Sequence, residues 1–386
     1  MVQQGIRYGI MALLLLAMVM GAQGATLLVG PSGGDYAAIQ PAVEAASPGD
    51  TIRVMAGTYP GGVVIRTPVT LVGEAGAVIG TVRIEADDVT IRSLSCGAMV
   101  FNGTSGSHVD GCVISAEETG IALSACRGCT IAGTEIAAGR TGIMIGSSDH
   151  TLLEGVLVSG GTTGVIIRES DGFSLRQTRI SGTDIGIVAE HSGNGTLEGT
   201  TFTDVGAGVL GVGITDTRII GSTFSGITQY VQLFRSAGVR VEAETLRGPD
   251  YFAADIFSDT VYTCGSWNAT GRNFALLAQE YEAPEGYILH GEAMNISFIP
   301  EATGDPDPAV VLGAGEEGAA FYRVDGVQEP FSLPSSAEGA VVGEPGHYAL
   351  MSRESAAAGP GPLLAAAGAI IAATVLVFAG RRKQEN

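Results

Sequence analysis

Ser107-His-Val-Asp-Gly-Cys-Val-Ile-Ser-Ala-Glu-Glu-Thr-Gly-Ile-Ala-Leu-Ser-Ala-Cys-Arg-Gly128 runs without a gap into Cys129-Thr-Ile-Ala-Gly-Thr-Glu-Ile-Ala-Ala-Gly-Arg-Thr-Gly-Ile-Met-Ile-Gly-Ser-Ser-Asp-His150, and the two stretches share one pattern. Six consecutive copies of this 22-residue unit begin at Ser107, Cys129, Thr151, Phe173, Gly195 and Thr217, and a partial seventh runs from Val239 to Leu246. A fixed period of this size marks a solenoid, propeller or array.

Reading the copies as columns gives the local structure. One column is Val109, Ile131, Leu153, Leu175, Leu197, Ile219 and Val241; a second is Ile114, Ile136, Val158, Ile180, Phe202, Phe224 and Leu246. A third is Ile121, Ile143, Val165, Ile187, Val209 and Val231, and a looser fourth is Leu123, Ile145, Ile167, Ala189, Gly211 and Leu233. Each is apolar between polar or small neighbours, the period-2 alternation of strands. One turn of chain with three short strands cannot bury its own inner face. Stacking turns at the ~4.8 Å strand spacing does, so the unit reads as a parallel coil with an aliphatic ladder behind each column. Two glycine columns, Gly120, Gly142, Gly164, Gly186, Gly208 and Gly111, Gly133, Gly155, Gly199, Gly221, read as corners entering positive φ. Gln177 and Ala243 interrupt the second, so its geometry is expected to tolerate other residues. Glu154, Arg176 and Glu198, the pair Arg168 and Glu190, and a hydroxyl ladder of Thr178, Thr200 and Ser222 are assigned to the outer surface.

The residues ahead of the repeat carry a resemblance. Asp35-Tyr-Ala-Ala-Ile-Gln-Pro-Ala-Val-Glu-Ala-Ala-Ser-Pro-Gly-Asp-Thr-Ile-Arg-Val-Met-Ala-Gly-Thr-Tyr59 resembles the opening of the right-handed parallel β-helix, or pectate-lyase-like, superfamily, and most of all its NosD-type repeat proteins. There a short helix covers the first turn, Gly-Asp-Thr-Ile begins a strand and Gly-Thr-Tyr ends it. The resemblance extends over about residues 26–246 and supplies the handedness. It implies a fold that hosts lyases, hydrolases, binding modules and structural fibres, and so leaves activity open. Helical spacing of Tyr36, Ile39, Val43 and Ala46, with Asp35 as N-cap and Pro48-Gly49 as stop, independently predicts the helix, whose task is to cap the coil.

The rest of the chain is organised around this coil. Residues 1–25 read as a signal peptide, with Arg7 before the apolar run Gly9 to Met20 and a small-residue cleavage region. Thr51 to Gly106 forms earlier turns of looser period, for a coil of about nine turns and roughly 40 Å. After the boundary signal Gly248-Pro249, residues 247–354 hold most of the aromatics, the single Trp267 and short alternating runs. They read as a small β-sandwich-like domain. An Ala-Gly-Pro linker (355–362) leads to an apolar run (363–380) of transmembrane length, followed by Arg381, Arg382 and Lys383 in a tail (381–386) placed in the cytoplasm. The expected fold class is therefore all-β: a right-handed parallel β-helix with an N-terminal helical cap, a β-sandwich-like domain and one transmembrane helix.

A net charge of −20 argues against nucleic acid as a partner. It suits a soluble exterior. Four sequons, at Asn102, Asn194, Asn268 and Asn295, become glycosylation candidates once a signal peptide is read. With the acidity and the single anchor they resemble archaeal surface proteins. Five cysteines are present; Cys126 and Cys129 form a C-x-x-C read as structural packing or a short-range disulfide at a corner. No zinc or other metal site is expected.

Chemistry is sought in carboxylates. Asp149 and Asp171 occupy one corner column a turn apart, near Arg168 and Glu190. Two like charges so placed recruit a cation or repel. The lyases that the chain resembles hold calcium this way, so these four residues are the candidate polymer- or cation-binding set. The column does not continue: Arg127 precedes it, and Gly193 and Thr215 follow. No catalytic residue of those enzymes maps onto this chain. Copper delivery, implied by the likeness to NosD proteins, finds no histidine column, since His108, His150, His191, His290 and His347 are scattered. Asp87-Asp88 reads as turn chemistry. Gly206–Gly211 and Gly313–Gly318 match a dinucleotide fingerprint by letters but lie outside any βαβ unit. The expectation is an extracellular, membrane-anchored protein that binds an extended polysaccharide or builds the cell envelope, without a cofactor; a polysaccharide lyase or glycoside hydrolase is the alternative.

Overall fold

The computed structural model describes residues 24–243 except 228, and strands with some joining turns between 252 and 353. The expected signal peptide up to residue 23, the linker, the anchor run and the tail lie outside the described residues. Among the described residues no helix is long and apolar enough to cross a membrane.

The chain forms a parallel β-solenoid with three strand ladders. Twelve parallel strands, from Thr26–Val29 to Asp259–Cys264, make the first face. Eleven steps at ~4.8 Å give a coil about 50 Å long. This exceeds the expected length, because short early turns fit more strands into residues 26–108 and parallel pairing continues past residue 246. Register confirms the columns: Val109 pairs with Ile131, Ile131 with Leu153, and so on through Ile219 with Val241. These side chains are at most 2% exposed. Successive partners are 25, 19, 20 and 18 residues apart from Thr26 to His108, and 22 apart thereafter to Arg240.

The second and third faces begin as one. Ala77–Ile84 and Ser95–Asn102 are eight-residue strands whose first halves join the second ladder and whose second halves join the third. From Val113 onward a corner separates them, as in Val113–Ala116 and Thr119–Ser124. Ile114, Ile136, Val158, Ile180 and Phe202 fill the interior of the second face, and Ile121, Ile143, Val165, Ile187 and Val209 that of the third, each at most 2% exposed.

The two glycine columns have different causes. Gly111, Gly133, Gly155, Gly199 and Gly221 have positive φ, and Gln177 keeps φ at +48° in the same position. That column is a left-handed corner, tolerant of other residues as expected. Gly120, Gly142, Gly164, Gly186 and Gly208 are absent from the positive-φ set, contrary to the expected bend. A Cβ on Gly164 would lie 2.5 Å from Ile180 Cγ2 and 2.6 Å from Gly186 O. Close packing, not backbone freedom, selects this column.

The N-terminal helix is shorter than predicted, Ile39–Ala45, and its N-cap is Ala38 without a side-chain bond. Asp35 serves the strand instead: its Oδ2 accepts the Leu28 amide at 2.8 Å. The helix buries Ile39, Ala42 and Val43 in the core that begins at Val29. Gln40 ties it to Val64 through bonds of 2.8 and 3.3 Å.

Past the coil, the strands predicted within 247–354 are present but extend the coil's own sheets. Trp267–Gly271 pairs antiparallel with Asp259–Cys264 and continues the first face through Val310–Ala314 and Gly339–Val342. Phe274–Gln279 pairs antiparallel with Phe252–Ile256 and continues the third through Ala293–Phe298 and Gly346–Arg353. Tyr262, Phe274, Ile296, Leu312 and Leu350 belong to one apolar core with the coil.

Candidate functional site

The corner from the third face to the first holds the four residues singled out in the sequence. Asp149 and Asp171 stack a turn apart, but their carboxylates are engaged by the backbone. Asp149 Oδ1 accepts the Asp171 amide at 3.0 Å, and Asp171 Oδ1 accepts the Gly193 amide at 2.6 Å. Each oxygen so placed closes the next turn. Asp87 does the same for the Ser105 amide at 2.7 Å, which bears out the turn reading of Asp87-Asp88. Arg168 and Glu190 pair with each other across neighbouring strands, Nε to Oε2 at 2.6 Å, on the exposed surface. Arg176 likewise meets Glu198 at 3.8 Å. The four residues thus form two separate structural pairs. Among the described residues no group of three or more His, Cys, Asp or Glu side chains converges on one point.

Beneath this corner lies a feature the sequence reading missed. Ser148, Ser170 and Ser192 are at most 2% exposed. Each hydroxyl donates to a carbonyl two residues back, Gly146, Arg168 and Glu190 at 2.7–2.8 Å. Each accepts the amide of the turn before, from Cys126, Ser148 and Ser170 at 2.9–3.1 Å. Ser236 and Ser258 extend the pattern, Ser236 N donating to Ser258 Oγ at 2.9 Å. The signal was present as a serine column between apolar ladders. The Thr178, Thr200 and Ser222 ladder corrects another expectation. It points inward, 0%, 0% and 7% exposed, because the register turns that column into the coil. Thr178 Oγ1 donates to Arg176 O at 3.4 Å, whereas Thr200 Oγ1 and Ser222 Oγ have no hydrogen-bond partner.

Cys126 occupies the place of those serines, and Cys129 lies three residues on across left-handed Gly128. Both are buried thiols, not joined in a disulfide in this structure. Cys126 Sγ donates to Ser124 O at 3.3 Å, and Cys129 Sγ to Thr104 O at 3.9 Å. Thr104 Oγ1 lies 3.6 Å from Cys126 Sγ and 3.9 Å from Cys129 Sγ. The neighbouring Cys129 thiol is the first cause that lowers the Cys126 thiol from 9.0 to about 5, and its converse pushes Cys129 up. Cys96 and Cys112 are pushed up to about 12 and about 11, chiefly by burial.

The second face carries an open groove of about 490 Å³, reaching from Val113 to Thr203 over five turns. One side is the outward column Val113, Glu135, Leu157, Arg179 and Thr201; the other is Ser115, Ala137, Ser159, Ser181 and Thr203. Val113 and Leu157 are 45% and 36% exposed, unusual for large apolar side chains here. Glu135 and Arg179 are exposed and have no ion-pair partner among the described residues. Alternation contained the signal, since these positions flank the inward column of Ile114, Ile136, Val158, Ile180 and Phe202. Of the four sequon asparagines, Asn102 and Asn194 are exposed, Asn194 at φ +53° on the corner where it was expected; Asn268 and Asn295 are half-buried in strands.

Comparison with solved structures finds partial likeness to proteins of distant sequence. An alginate lyase from Paenibacillus sp. str. FPU-7 is 16% identical, with TM-score 0.41 over 62% of this chain and 95% of its own. The catalytic unit of a GH87 α-1,3-glucanase from Streptomyces thermodiastaticus strain HF3-3 is 12% identical, with TM-score 0.45 over 64% and 62%. The tailspike protein 2 enzymatically active domain of bacteriophage CBA120 is 9% identical, with TM-score 0.43 over 87% and 75%. At these values the likeness is one of fold alone. Comparison with curated proteins finds no match. The family described as "Periplasmic copper-binding protein (NosD)" matches residues 43–245. That segment is more than half of the chain and coincides with the coil from the helix to the partial seventh unit, so the protein belongs to the NosD family.

Proposed function

We propose that this is an exported envelope protein whose second face binds an extended polysaccharide. The groove carries the reading. It is open at the surface, runs along the stack and offers a hydroxyl or small side chain at each ~4.8 Å step on one side. Apolar and charged groups alternate on the other. Among the described residues Ser115, Ser181 and Thr203 spend no side-chain hydrogen bond on the coil and Ser159 only a long one, to Ile136 O at 3.4 Å, so hydroxyl donors and acceptors are available to a polymer of hydroxylated units. The periplasmic description of the family, the leader read in residues 1–25 and the anchor read in 363–380 support a place outside the cytoplasmic membrane. The helix at Ile39–Ala45 serves as a cap over the first turn, and glycans on Asn102 and Asn194 would project from exposed corners.

Copper, named in the family description, finds no fitting donor set among the described residues. The soft ligands Cys126 and Cys129 are buried and engaged with Thr104 and backbone carbonyls, and among the described residues no third metal-binding side chain joins them. Nor does a cation site at Asp149 and Asp171 gain support, since backbone amides occupy the carboxylates.

Affinity electrophoresis against neutral and acidic polysaccharides tests the proposal. Retardation by at least one polymer is expected, and Ser159→Trp, which fills the groove from an exposed position, removes it. Binding unchanged in Ser159→Trp would move the site elsewhere. Release of reducing or unsaturated ends would favour the lyase or hydrolase alternative. No retardation by any polymer would favour a purely structural role.

A further inference from the structure

We propose that Cys126 and Cys129 are a reactive dithiol that closes to a disulfide within the corner when it meets a small-molecule disulfide, while Cys96 and Cys112 remain thiols. All four are buried, so exposure alone does not separate them. Surroundings do.

Cys126 stands in a corner one residue deep. Ser124, Ala125, Arg127 and Gly128 around it are exposed. Its amide is held by Ser148 Oγ at 2.9 Å, the bond every serine of that column makes, so the backbone keeps its register whatever the sulfur does. Its sulfur faces Cys129 across a four-residue turn and shares Thr104 Oγ1 with it. The Cys126 thiol donates to Ser124 O at 3.3 Å; when that proton leaves, the Thr104 hydroxyl at 3.6 Å and the neighbouring Cys129 thiol are the groups placed to favour the thiolate. Cys112 donates to Asp110 O at 3.6 Å and Ile91 O at 3.9 Å, shares no side-chain hydroxyl with another cysteine among the described residues and is kept as a thiol chiefly by burial. Cys96 lies on the inner side of the second face, paired with Ile79 and Ile114, in an apolar setting that also favours the thiol.

The reaction balances without any group from the protein beyond these two. Cys126 thiolate attacks one sulfur of the reagent; the reagent's S–S bond breaks, a mixed disulfide forms and one thiolate leaves. That thiolate takes the proton of Cys129. The Cys129 thiolate then attacks the Cys126 sulfur, and the second half of the reagent leaves as a thiolate that is protonated by water. Two protein thiols are oxidised and one reagent disulfide becomes two thiols. Cys129 gives up its proton to the thiolate that leaves in the first step, which readies it for the second.

The test uses the whole chain with Cys264→Ser, folded, incubated with oxidised glutathione. Thiols are then alkylated under denaturing conditions and located by peptide mass. The expected result is a Cys126–Cys129 peptide that has lost two hydrogens and escaped alkylation, with Cys96 and Cys112 fully alkylated. Cys126→Ser and Cys129→Thr each abolish the loss. Both introduce the residue that the next turn already carries, Ser148 and Thr151, and circular dichroism verifies their coil. Alkylation of all four cysteines after treatment, or a cross-link through Cys96 or Cys112, would overturn the proposal.

Discussion

Two columns rich in hydroxyls lie along the regular coil, and they do opposite things. Ser148, Ser170 and Ser192 face inward, and each donates to a carbonyl of its own turn and accepts an amide from the turn before. Ser115, Ser159, Ser181 and Thr203 face outward along a groove. The residue types are the same; register alone decides which column holds the coil together and which is offered to a ligand. A buried hydroxyl is costly unless paired, so the inner column is a structural commitment. The outer column carries no such constraint.

That contrast breaks most sharply under charge. Ser170→Asp places a carboxylate among buried groups and is expected to cost on the order of 4 kcal/mol, whereas Ser159→Asp stays within about 0.5 kcal/mol. Thermal unfolding of the two variants decides it, and equal losses would mean that the columns are not different. The milder pair Ser170→Ala and Ser159→Ala sharpens the same comparison. The first leaves the buried Ser148 amide without its partner, while the Arg168 carbonyl keeps the Ser147 amide, and should cost about 1–3 kcal/mol; the second removes only a long bond to Ile136 O and should cost almost nothing.

Acid tests the cysteine that replaces serine in the inner column. Cys126 has its thiol lowered from 9.0 to about 5 in the folded chain, first by the neighbouring Cys129 thiol. A folded pKa below the unfolded one adds stability that is full above pH 9 and is lost as pH falls toward 5. The margin of the parent over Cys126→Ser in unfolding midpoint should therefore shrink over that window. A margin independent of pH would show that no thiolate forms. The smallest effect belongs to the surface: Glu190→Ala removes the exposed pair with Arg168 and should cost about 0.2–1 kcal/mol, less at high salt.

The sequence made the inward aliphatic columns legible because a 22-residue period without insertions aligns every turn, and packing repeats with it. Register in the structure follows those columns residue for residue. Polar columns were harder. Thr178, Thr200 and Ser222 looked like surface residues because a hydroxyl is equally at home bonded to a buried carbonyl or to water. The glycine column through Gly164 looked like a bend, although its cause is a neighbouring side chain that sequence does not place. Asp149 and Asp171 were visible as a carboxylate pair, but not their backbone partners one turn on. The groove on the second face was written in the alternation and is recognisable only once the corner between the second and third faces has a position. The sheet extension beyond residue 259 was hidden for a different reason. Antiparallel strands that continue a parallel ladder share its core without sharing its period.

The unvarying pitch has an evolutionary side. Because partners along the regular coil differ by 22 positions on all three faces, whole units are interchangeable spacers. Duplicating or excising one, such as residues 151–172, joins every ladder to its own continuation and leaves both ends as they are. Gene segments of that size can therefore lengthen or shorten the molecule in quantised steps, and its reach becomes a trait that selection can tune while the register of every ladder is kept.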